Sequence, residues 1–207
     1  MERPPHSLTL TPASSADKAL GRVIAIAPAP LLMGEDEADY AEIAGRIVGA
    51  TAPRDALEEL LLRDVIDLTW EILRLRRVKT GMLRAAMGAG VGAVLSAISY
   101  PYPHREELSK DWAAGDAGAR QEVDAILGKA GLTIEEAAAK TLELKLDVFE
   151  RIDRMLASAE ARRNNALREI DRHREAAGAA ARRALDQVED VEFRDVETGE
   201  TSGAPAA

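Results

Sequence analysis

From Thr133 to Val188 the chain carries the pattern of one long helix. The stretch has no proline and a single glycine, Gly178, so nothing in it compels the backbone to leave the helix. Thr133 and Glu136, three residues apart, form a capping-box signature that sets the start. From Leu142 onward, Phe149, Ile152, Leu156, Ala159, Arg163, Ala166, Ile170, His173, Ala177 and Ala180 fall at heptad a and d spacing. A continuous helix over 133–188 would run roughly 80 Å at about 1.5 Å per residue, too long to stand in water without contacts along its side.

A second helical pattern opens at Pro53. Leu61, Val65, Leu68, Ile72, Leu75 and Met82 recur at helical spacing. Asp55, Glu58 and Glu59 come early and Arg74, Arg76, Arg77 and Lys79 late, the order that the helix dipole favours. Gly81 is the expected C-cap, with 82–87 able to carry the helix on for a turn or two. Ahead of this helix, the acidic opening Gly34, Glu35, Asp36, Glu37 leads into a short one over about 36–48. Its Tyr40, Ile43, Ala44 and Ile47 share one face, and Gly49 is expected to end it.

Residues 85–98 are small and apolar and contain Gly88, Gly90 and Gly92. The run falls short of the ~20 residues of a membrane span. No strand pattern precedes the glycines, as a dinucleotide fingerprint requires. The spacing suits a close-packed or bent helix that another backbone approaches. Tyr100, Pro101, Tyr102 and Pro103 then turn the chain, and HREELSKDWA and DAGARQEVDAILGKA read as two short helices burying Leu108, Trp112, Val123, Ile126 and Leu127. Residues 1–33, rich in proline, serine and alanine, read as a disordered arm, and 191–207 as an acidic disordered tail; 34–190 is left as the helical domain.

Composition narrows the shape further. Hydrophobic residues make up 46% of the chain but aromatics only 3%, so the core is expected to be thin helix-to-helix contact built from alanine and leucine. A net charge of -9 argues against a broadly basic surface that would hold a polyanion. There is no cysteine, which excludes disulfides, thiolate nucleophiles and cysteine-ligated metals, and suits a reducing compartment. The first residues lack a leader pattern, and the expectation is a cytoplasmic protein with no membrane segment.

Candidate chemistry is sparse. Asp64, Asp67 and Glu71 lie on one face of the second helix, and with His173, Glu169 or Asp153 they suggest a metal site in a helical bundle. The Glu-x-x-His motif of ferritin-like iron sites does not occur, so no metal or cofactor is expected. Instead these acids are read as a polar seam with arginines such as Arg154, Arg162 and Arg163 and with His173, fixing the register of an antiparallel pair. Arg162, Arg163, Arg168, Arg172, Arg174, Arg182 and Arg183 recur along the long helix and could track a phosphate backbone. Interleaved Glu160, Glu169, Asp171 and Glu175 favour a solvated surface. No serine, histidine and acid are spaced as a nucleophile with its base, so no catalytic residues are expected.

The stretch GEDEADY with TAPRDALEELLLRDVIDLTWEILRLRR, from Gly34 to Arg77, resembles a module of uncharacterised bacterial proteins, many alphaproteobacterial and some found beside mobile elements. ERIDRMLASAEARRNNALREIDRHR is similar to their carboxy-terminal helix. The resemblance implies no activity; its link to mobile elements adds weight to nucleic-acid binding by analogy alone.

The expected fold is all-α: an antiparallel hairpin of long, coiled-coil-like helices with short accessory helices and disordered termini. Leu146, Phe149, Ile152, Met155 and Leu156 are expected to meet Leu61, Val65, Leu68, Ile72 and Leu75, with the helix beyond Ala157 protruding or pairing with a second copy. The expected function is a non-enzymatic interaction or scaffold protein, a homo-oligomer with a protein partner along the long helix. The alternative is a nucleic-acid-binding accessory that uses the arginines.

Overall fold

A computed structural model describes residues 14–98 and 104–189. Every element among them is a helix: α1 Ser15–Ala25, α2 Glu37–Thr51, α3 Ala56–Ala97, α4 Arg105–Ala114, α5 Ala117–Lys129, α6 Ile134–Leu144 and α7 Leu146–Glu189. Capping residues start most of them. Asp36 accepts from the Ala38 amide, Asp55 from those of Leu57 and Glu58, and Asp116 from that of Ala119. Thr133 and Glu136 close the expected capping box.

Two helices dominate, each spanning roughly 65 Å. Their contacts step down α7 as they climb α3: Asp55 with His173, Glu58 with Arg174, Arg76 with Glu160 and Lys79 with Asp153. The contacts therefore run in opposite directions along the two helices, with α4 and α5 between them in the chain as the two short helices expected there, and α6 as the detached first part of the expected long helix. The core divides along this axis. Tyr40, Val48, Leu62, Ile66, Trp70 and Ile170 join α1, α2, the first half of α3 and the distal part of α7. Leu68, Ile72 and Ala159 bridge the middle, and Val91, Leu95, Val123, Leu127 and Ala137 join the far half of α3 to α4, α5 and α6.

The expected heptad positions of α7 face inward from Phe149 to Ile170, and His173 is half-buried. The register differs from the expected one. Leu156 and Ala159 meet Leu68 and Ile72, Ile170 reaches the Leu62 and Ile66 cluster, and Phe149 lies against Lys79. Leu146 and Met155 are about half exposed. Because α1 and α2 thicken that end, the seam stays packed well past Ala157, and Ala177 and Ala180 are exposed.

Four expectations are corrected. Residues 14–33 are not an arm: α1 buries Ala19 and Val23, and Leu20, Ile24, Ala29 and Leu31 pack on the same core. Helix α2 runs through Gly49 and ends at Ala52, whose left-handed φ of 47° sits before Pro53, which disfavours the α conformation there. Helix α3 does not stop at Gly81 but continues to Ala97. The long carboxy-terminal helix is interrupted once, at Lys145. The expected turn at Tyr100–Pro103, residues 1–13 and the acidic tail 191–207 lie outside the described residues.

The glycines of α3 let two helices approach it closely. Two residues advance a helix by about 200°, so Gly88 and Gly92 face one side and Gly90 the other. On the first side α4 packs, with Ser109 and Ala113 beside Gly88 and Ser109 beside Gly92. On the second, α6 lies so close that a Cβ on Gly90 would overlap the Thr141 hydroxyl and the Ala137 carbonyl oxygen.

Candidate functional site

Three charged clusters lie along α3. In the first, Arg63 is only 3% exposed, set in the apolar run Leu62 to Ile66. Its Nη1 donates to the carbonyls of Ile24 and Ala27 at 3.1 and 2.7 Å, and Nη2 to that of Pro28 at 2.8 Å, so it caps the end of α1 and holds the strap that follows. Its Nε meets Asp67 at 3.0 Å. The Tyr40 hydroxyl donates to the same carboxylate at 2.5 Å, and burial, then this acceptor, hold the phenol well above its ordinary range.

In the second cluster, Glu35 accepts from Trp70 Nε1 at 3.0 Å, from Arg74 at 2.7 and 2.8 Å and from Arg77 at 3.2 Å. The Arg74 guanidinium holds this carboxyl far below the usual carboxylate range, against the opposing effect of burial. Arg77 also stacks 5.0 Å over the Trp70 ring. In the third, Glu58 is 1% exposed and takes both Arg174 donors, at 2.9 and 2.8 Å, and the Arg54 amide. Arg174, through its hydrogen bonds, depresses the Glu58 carboxyl, and also donates to the Thr51 carbonyl at the end of α2. Beside it His173 Nε2 meets Asp55 at 2.7 Å. The amide of Glu58, then His173, lower the Asp55 carboxyl.

Asp55, Glu58 and His173 have metal-like spacing, with ligand atoms within 4.8 Å of one another. A cation there would have to displace the guanidinium that already occupies both oxygens of a buried carboxylate. The donor set does not fit a metal.

Of the residues expected to form a polar seam, Glu71 lies across a groove from Arg154 and Arg162 without an ion pair, and the others find different surroundings. Asp67 meets Arg63 of its own helix, His173 meets Asp55, and Arg163 turns to the neighbouring Asn164. Asp64 is exposed and Glu71 half-buried, both on the flank of α3 beside α7. The arginines form no stripe: at about 100° per residue Arg162, Arg163, Arg168, Arg172, Arg174, Arg182 and Arg183 point all around the helix. Arg174 is consumed by Glu58, Arg172 meets Glu169 at 2.6 Å and Arg168 meets Asn165. Arg63 and Glu35 were missed. An arginine inside an apolar run at i,i+4 from an aspartate was a readable signal for the first, whereas nothing in the sequence ties Glu35 to Trp70, 35 residues away.

No protein-family model, curated protein or solved structure matches the chain.

A second seam on α3 is buried at its centre, where Leu68 and Leu75 are in the core, and open only at its ends. Leu57, Leu61, Asp64, Leu68, Glu71 and Leu75 follow steps of four and three, and Met82 continues the series a heptad later. Its Leu68 faces Leu156 and Ala159 of α7, while Asp64 and Glu71 lie on the edge of that contact. Leu57 is 48% and Met82 38% exposed, and beside the seam runs a groove of about 310 Å³ lined by Glu71, Arg151, Arg154, Met155 and Arg162.

The carboxylates carry a pH prediction. Folding lowers the pKa of Glu35 and Glu58, so their contribution is complete above the ordinary carboxylate pKa of about 4.3 and is lost as pH falls through and below it. Thermal melts followed by circular dichroism should be level from about pH 7 to 5 and fall below about pH 4.5, with Glu35→Gln flattening part of that fall. An acid profile identical in the variant would show that Glu35 does not contribute.

Proposed function

We propose that the protein is a non-enzymatic helical scaffold that self-associates through coiled-coil-like packing of its long helices. The observation that carries this is the division of its polar and apolar groups. The charged clusters close on themselves, with no buried side-chain polar atom left unpaired among the described residues. The depressed carboxylates are held ionised by guanidinium groups, which makes them poor proton donors at neutral pH. The second apolar seam of α3, by contrast, lies partly uncovered. Among the described residues no helix is long and apolar enough to cross a membrane.

Light scattering at micromolar concentration should give a mass of at least twice 22.3 kDa. A monomer would overturn the reading. A steep, salt-sensitive shift of duplex or single-stranded DNA at ~50 mM salt would replace it with the nucleic-acid alternative. The scattered directions of the arginines and the net charge of -9 speak against that outcome.

A further inference from the structure

We propose that the groove between the second seam of α3 and the outer flank of α7 is closed by the same groove of a second copy, related by a twofold axis. This rests on the scaffold reading and names its surface. The argument is the charge of the two rims. Glu71 lines the groove from α3, with the exposed Asp64 about two turns before it on the same face, so this rim is acidic, while Arg151, Arg154 and Arg162 line the other rim from α7. Arg154 reaches Glu150 at 3.6 Å, but Asp64, Glu71, Arg151 and Arg162 enter no ion pair among the described residues.

A partner of one sign would be attracted by one rim and repelled by the other. A phosphate backbone would meet the acids. A second copy turned through a twofold axis presents base to acid and acid to base at once, because an isologous contact repeats each pairing in reverse. Between the rims it would cover Met155, which is 47% exposed. The acids interrupt the seam where a purely apolar helix would slip, so they also set the alignment of the two copies.

Two charge-reversal variants test this, Asp64→Arg with Glu71→Arg, and Arg151→Glu with Arg162→Glu, measured by sedimentation equilibrium at ~0.15 M salt. Asp64, Arg151 and Arg162 are exposed and Glu71 is half-buried, and circular dichroism verifies that each variant keeps its helices. Each variant alone should self-associate at least about tenfold more weakly than the wild type, and an equimolar mixture should form the mixed dimer. Arg182→Glu with Arg183→Glu makes the same change in net charge as the second variant, away from the groove, and should leave the dimer intact.

Dissociation of this control to the same extent would make the effect one of bulk charge and overturn the assignment. A dimer indifferent to the reversals, or a mixture that stays monomeric, would also overturn it while leaving the scaffold reading in place. A wild-type monomer would overturn both.

Discussion

Arg63→Ala is expected to lower the unfolding free energy by about 3–5 kcal/mol, a melting temperature roughly 6–20 °C lower for a chain of this size. The substitution removes a cation that is 3% exposed, takes the donor from the carbonyls of Ile24, Ala27 and Pro28, and leaves the Asp67 carboxylate with the Tyr40 hydroxyl but no counter-charge. An uncompensated buried acceptor costs more than the net worth of the bond that satisfied it. Arg63→Lys should recover little, because one ammonium cannot reach carbonyls on the strap and the carboxylate on α3 together, whereas the planar fork does. Since Arg63 ties α1 and the strap to α3, the amides of α1 should also lose hydrogen-exchange protection ahead of those in α4 and α5. Arg63→Lys melting like the wild type would show that the fork geometry is unimportant.

Gly90→Ala should cost about 3 kcal/mol, while Gly81→Ala, nine residues earlier in the same helix, should stabilise by roughly 0.5–1 kcal/mol. Both replace a mid-helix glycine by a better helix former. At Gly81 a new Cβ meets nothing within 4 Å, so only the gain in helix propensity remains. At Gly90 the new methyl overlaps the Thr141 hydroxyl and the Ala137 carbonyl, and lies 3.1 Å from the Thr141 amide. A side chain can rotate away, but the backbone of α6 can yield only by moving the whole helix, which would open the contact with Val91 and Leu95. Chemical denaturation of the two variants against the wild type measures both effects. Equal stabilities would contradict the close approach of α6.

Much of the architecture was legible because it rests on periodicity. The a and d series of α7 marks its buried face from Phe149 to Ile170, and the acids Glu58 and Glu59 do open α3, but Arg74, Arg76 and Lys79 lie mid-helix, where they meet Glu35, Glu160 and Asp153, and the last turn of α3 has no basic residue. The start at Thr133 was legible because a capping box is a local device, made by residues three apart. Helix α1 was harder to see. Its apolar face is only Ala19, Leu20, Val23 and Ile24, a stripe barely one turn long beside prolines, and it becomes a helix in context because α2 and α3 cover it. Its capping box at Ser14 and Asp17 was the local sign.

By itself, then, the sequence determined most of the helical stretches, α1 excepted, where several begin, and which face of each long helix is apolar, since these depend on residues within two turns of one another. Only the tertiary structure decided the register of α3 against α7, the partners of Arg63, Glu35 and Glu58, and which helix approaches Gly90. The physical reason is the same in each case. A charge or a glycine acquires its meaning from the group opposite, and that group comes from a part of the chain whose distance in space the local pattern does not encode.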